Sequence, residues 1–130
     1  MPVAPADLRP HLPLIVRLTM PITHECVSPD ARLRFIVVEH DDGDVSLGFD
    51  GFAWHTHGDI LAALSKTSES EAVEQFVRDL LENRALIAIS RIAGEIRNVW
   101  ITDDPASEFD DLLPDESVEL RYWDGRNFGG

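Results

Sequence analysis

The chain of 130 residues has one cysteine, one tyrosine and two methionines, and only 11 basic residues against 24 acidic ones. The lone cysteine, Cys26, excludes an intrachain disulfide and any zinc site built from several thiolates. No apolar run approaches the roughly 20 residues of a membrane-spanning helix. No glycine-rich loop of P-loop or dinucleotide type is present; Gly43, Gly94 and Gly125 stand singly at turns. The N-terminus lacks a basic start and prolines break its apolar stretch, against a signal peptide, so the expected location is cytoplasmic. The shortage of basic residues leaves a formal net charge of −13 and a pI near 4.5. Such a surface repels nucleic-acid phosphates and anionic membranes, which excludes both as expected partners. The partner it attracts is a basic one.

What is present is a foldable composition, 44% hydrophobic and 27% charged, with length for one domain. Residues 1–11 hold Pro2, Pro5 and Pro10 and read as an arm, leaving 12–130 as a single domain. Residues 12–19 (LPLIVRLT) read as an edge strand, a place where homodimers could pair, and 21–31 as a connection with a Pro29-Asp30 turn. The clearest hairpin follows: residues 33–39 (LRFIVVE), an acidic turn at Asp41, Asp42 and Asp44, and 45–50 (VSLGFD) in strict alternation. Gly51 interrupts the alternation as a bulge would. Beyond it Phe52, Trp54 and Thr56 alternate with Ala53, His55 and His57.

Residues 68–84 predict the one main helix. Ser68 and Glu71 make an S-x-x-E capping box, and Val73, Phe76, Val77, Leu80 and Leu81 form an apolar stripe at helical spacing. Asn83-Arg84 ends it. Two strands, 86–92 and 96–102, turn through Ala93-Gly94-Glu95, and 118–123 (VELRYW) is a last strand. Strands, then a helix, then strands predict an α+β fold: an antiparallel β-sheet of about five to six strands with one main α-helix packed on one face.

Two clusters carry chemistry. On a strand His55 and His57 point to one side, and Asp59 could join them as a third ligand, which with an open fourth position suits a catalytic zinc. This alternative makes the protein a metal-dependent hydrolase. The spacing His55-Thr56-His57, seven residues, Ser65 is similar to that of JAMM-type metalloproteases. The resemblance departs at Ser68, where that family has its metal-binding aspartate, and at Gly58, where it has proline; Glu25 and Glu39 compete for the upstream general acid/base. The favoured reading leaves no metal or other cofactor, with the histidines bonding neighbouring loops or a partner. Cys26, two residues after His24, is read as a packing thiol rather than half of a dyad.

The second cluster is acidic. Residues 103–119 hold eight acids (Asp103, Asp104, Glu108, Asp110, Asp111, Asp115, Glu116 and Glu119) and no lysine or arginine. Phe109, Leu112 and Leu113 lie among them, so the stretch is expected to dock on the fold as a loop or short helical turn. Combined with Asp41, Asp42 and Asp44, and with Trp123 as an aromatic anchor, it is the expected partner-binding surface.

The arrangement over approximately residues 33–126 resembles small bacterial proteins related to polymorphic-toxin immunity proteins. The resemblance is carried by Val45-Ser46-Leu47-Gly48-Phe49-Asp50-Gly51-Phe52 with the following Trp-His-Thr-His, by the single helix and hairpin, and by Leu120-Arg121-Tyr122-Trp123-Asp124-Gly125-Arg126. It implies a stoichiometric inhibitor without catalysis of its own, neutralising a basic toxin domain such as a nuclease. A structural or regulatory homodimer is the remaining alternative.

Overall fold

Alternation and turn chemistry build the first hairpin of the computed structural model, which describes residues 22–129. Strands β2 (Arg34–Glu39) and β3 (Val45–Phe49) pair antiparallel, with Phe35 opposite Phe49 and Glu39 opposite Val45. The His40 N–H donates to the Asp44 carbonyl at 2.7 Å and the Gly43 N–H to the His40 carbonyl at 2.9 Å. Gly43 has φ of +90°, a conformation that favours a residue without Cβ. Gly51 lies in the turn after β3 with φ of +93°, and the β2–β3 register runs without the bulge expected there.

Two further strands widen this hairpin. β1 (Ile22–Val27) pairs with β2, and β4 (His55–His57) with β3, giving the order β1-β2-β3-β4. Most of the connection expected at 21–31 is therefore a strand. Its residues, ITHECV, run three polar residues together and lack the alternation of a half-buried strand, and the neighbouring β2 supplies the backbone partners that settle the conformation. The arm expected at 1–11 and the edge strand expected at 12–19 lie outside the described residues.

After β4 the chain forms two helices, α1 (Gly58–Ser65) and α2 (Glu69–Leu81). α2 carries the expected capping box: the Glu71 N–H donates to Ser68 Oγ at 3.2 Å, and the Ser68 N–H to Glu71 Oε1 at 3.4 Å. At its other end Asn83 is left-handed (φ +63°), and the Arg84 N–H reaches the Asp79 carbonyl at 2.8 Å in a Schellman-type closure. Then β5 (Leu86–Ile92) and β6 (Glu95–Thr102) form a hairpin, and β7 (Glu116–Arg121) pairs on the other side of β5.

The fold is α+β, but the described residues form two antiparallel sheets of four and three strands and two helices, in place of one sheet and one main helix. The first sheet ends at β4, from which the chain enters α1 directly, and β4 is not paired with β5. The inner faces meet instead through side chains: Phe35, Val37, Leu47 and Phe49 from the first sheet share one core with Leu80 of α2 and with Ile87, Ile89 and Val99 of the second. Phe35 and Phe49 meet edge to face with centroids 5.1 Å apart. Among the described residues no helix is long and apolar enough to cross a membrane.

An ion pair between a buried arginine and a partly exposed aspartate links the two sheets. Arg121, 1% exposed on β7, bonds Asp30 after β1 at 2.6 Å and donates to the carbonyls of Tyr122 and Trp123, both at 2.9 Å. Hydrogen bonds from Arg121 and Ser28 hold the Asp30 carboxyl well below the usual carboxylate range, against the opposing effect of burial.

Candidate functional site

The His-Thr-His stretch is the short edge strand β4. Thr56 lies opposite the buried Leu47, while His57 lies opposite Ser46 and His55 opposite Gly48, so the two imidazoles share the other face. Their ring centroids are 4.9 Å apart and nearly perpendicular, at 79°. His57 Nδ1 sits 3.1 Å from Asp44 Oδ2, and His55 Nδ1 sits 3.1 Å from the Ala53 carbonyl. Asp59, the expected third ligand, is in the first turn of α1, where its charge complements the positive end of the helix. The strand alternation that would have aligned it with the histidines stops two residues earlier. Among the described residues no group of three or more His, Cys, Asp or Glu is arranged to hold a metal ion. Ser65 and Ser68 have local work: Ser65 Oγ donates to the Leu61 carbonyl at 2.9 Å, and Ser68 caps α2.

The acidic segment leaves β6, forms a 3-10 helix over Pro105–Phe109, and returns as β7. Three carboxylates tie it down. Glu108 accepts the Trp100 indole N–H at 3.1 Å; Glu116 accepts Ser90 Oγ–H at 2.7 Å and the Leu113 N–H at 3.1 Å; Glu119 pairs with Arg91 at 2.7 Å. Those hydrogen bonds, from Ser90 first, lower the Glu116 carboxyl below its ordinary range. Asp103, Asp104, Asp110, Asp111 and Asp115 are exposed and have no side-chain partner among the described residues. Between them stand Phe109, 53% exposed, and Leu113, 49% exposed.

Two parts of the expected binding surface are placed differently. Trp123 is 5% exposed and packs in the shared core, so it offers no free face to a partner. Its position at the end of an alternating strand did not distinguish an inward ring from an outward one. The acidic turn joins β2 and β3, whereas the acidic segment joins β6 and β7, so the two groups belong to different sheets. Asp44 is engaged by His57, and Asp42 accepts the Asp44 N–H at 3.0 Å, while Asp41 is exposed.

Sequence reading missed a cleft of about 870 Å³ between α2 and the face of β1, β2 and β3. Val37, Val45, Val73 and Val77 supply apolar walls, and Glu39, Glu69, Glu74 and Glu82 are among its polar residues. The apolar stripe of α2 was visible as a periodicity, but a stripe does not reveal how much of it a sheet covers. Cys26 lines this cleft, and burial, with the Glu25 charge second, pushes its thiol up, away from the thiolate that a nucleophile needs.

No protein-family model matches the chain, and no curated protein or solved structure is significantly similar to it.

Proposed function

We propose that this protein is a binding module of immunity type, which holds a basic protein stoichiometrically and performs no chemistry of its own. The observation that carries the reading is the segment between β6 and β7, where five exposed aspartates without a side-chain partner among the described residues flank the exposed Phe109 and Leu113 along the chain. Charge of one sign on a folded surface steers a cationic partner, and apolar side chains among the charges supply short-range contact once it arrives. The ties through Glu108, Glu116 and Glu119 hold the segment on the sheet before binding, which reduces the ordering cost of association. A toxin nuclease is the partner class this chemistry suits best, because its phosphate-binding groove is basic. The alternative, a zinc hydrolase using His55, His57 and Asp59, has less support, since Asp59 belongs to α1.

The test is capture of binding proteins at low salt, followed by titration of the purified partner against wild-type protein and an Asp110→Lys/Asp111→Lys/Asp115→Lys variant. The reading expects a basic partner, one-to-one stoichiometry, a Kd that rises steeply with salt, and a Kd weakened about 100-fold by the triple reversal. An acidic partner, or a Kd indifferent to the reversal, would sink it.

A further inference from the structure

We propose that His55 and His57 form a two-imidazole site for a divalent first-row transition ion of the Cu²⁺, Ni²⁺ and Zn²⁺ class. The geometry fixes which ring nitrogens are offered. A carbonyl and a carboxylate can only accept hydrogen bonds, so the Nδ1 of His55 facing Ala53 O, and the Nδ1 of His57 facing Asp44 Oδ2, both carry the proton. In each neutral ring the lone pair is then on Nε2. Metal-ligating histidines are oriented in this way, with the other ring nitrogen donating to a carbonyl or carboxylate that fixes the tautomer and raises ligand basicity.

Three further observations support a shared ion. The rings lie on one face of one strand with centroids 4.9 Å apart, His55 is exposed and His57 half-buried, so an ion and its water can reach both. The carboxylate behind His57 belongs to the turn carrying Asp41 and Asp42, which places negative potential beside the pair. His40 does not compete through Nε2, which is held by Ser46 Oγ at 2.8 Å. Imidazole nitrogens select Cu²⁺, Ni²⁺ and Zn²⁺ over Mg²⁺ and Ca²⁺, which require oxygen ligands, and Cu²⁺ binds a given nitrogen site most tightly. Two protein ligands leave the remaining positions to water. The site requires neither Asp59 nor any reaction, and it stands whether or not the acidic segment binds a partner.

The experiment titrates Cu²⁺, and separately Zn²⁺, into metal-stripped protein in a Cys26→Ser background, which removes the competing thiol. Calorimetry gives the affinity, and the Cu²⁺ electron-spin spectrum counts coordinated nitrogens. Expected are one ion per chain, two imidazole nitrogens on copper, and a loss of about ten-fold or more in affinity for His55→Ala and for His57→Ala. Asp44→Asn, which touches no ion, should also weaken binding about ten-fold, whereas His40→Ala should leave it unchanged. Failure of the folded protein to bind either ion one-to-one would overturn the proposal, as would unchanged affinity in the His55→Ala/His57→Ala double variant. Circular dichroism of each variant separates loss of ligands from loss of fold.

Discussion

Arg121 and Asp30 show how a single pair can set stability. The guanidinium is buried, and removing its counter-charge leaves it with neutral acceptors, among them the Tyr122 and Trp123 carbonyls. Asp30→Asn should therefore destabilise the fold by about 2 kcal/mol in chemical denaturation near neutral pH, less than a fully buried pair because solvent screens the partly exposed carboxylate. Because the folded Asp30 carboxyl is depressed, its contribution is complete above the ordinary carboxylate range and is lost as pH falls through the folded value. The gap between wild type and variant should narrow in acid; a constant gap would separate the destabilisation from the ion pair. At the β5–β6 turn, Ala93 and Gly94 both have positive φ, +53° and +85°. Alanine is strained there, whereas glycine is not, so Ala93→Gly should raise stability by about 1 kcal/mol and increase Tm.

At the scale of elements, α2 depends on its cap and the acidic segment on its ties. Ser68→Ala removes the acceptor for the Glu71 N–H and should cost about 1 kcal/mol, read as a lower unfolding midpoint. Glu116→Ala frees Ser90 Oγ and the Leu113 N–H, so hydrogen exchange at Leu113 should quicken while the β5–β6 amides stay protected. In the wild type the same loosening should appear only in acid, below the ordinary glutamate range, because the native carboxyl is held low. Uniform exchange through the whole second sheet would instead mean that Glu116 supports the sheet and not the segment.

For the whole molecule, the contrast between Trp123 and Phe109 separates folding from binding. Trp123→Ala opens a void in the shared core and should cost about 3–5 kcal/mol. Phe109 is mostly exposed, so Phe109→Ala should leave Tm nearly unchanged while weakening partner binding about ten-fold. A large loss of Tm for Phe109→Ala would mark it as a packing residue.

The sequence by itself determined the features whose causes are local. The hairpin at β2–β3, the Ser68 capping box, the end of the helix at Asn83-Arg84 and the β5–β6 turn each depend on residues within a few positions of one another. The charge of the 103–119 stretch and the shared face of His55 and His57 follow in the same way. Only the tertiary structure decided which strands are neighbours, because alternation marks a face and not the strand beside it. It therefore placed β1 where a connection was expected, divided the strands into two sheets, turned Trp123 inward and drew Asp59 into a helix of eight residues. It also separated the acids of the 103–119 stretch that hold the fold from those left to solvent, a distinction made by contacts such as Ser90 with Glu116, 26 positions apart in the chain.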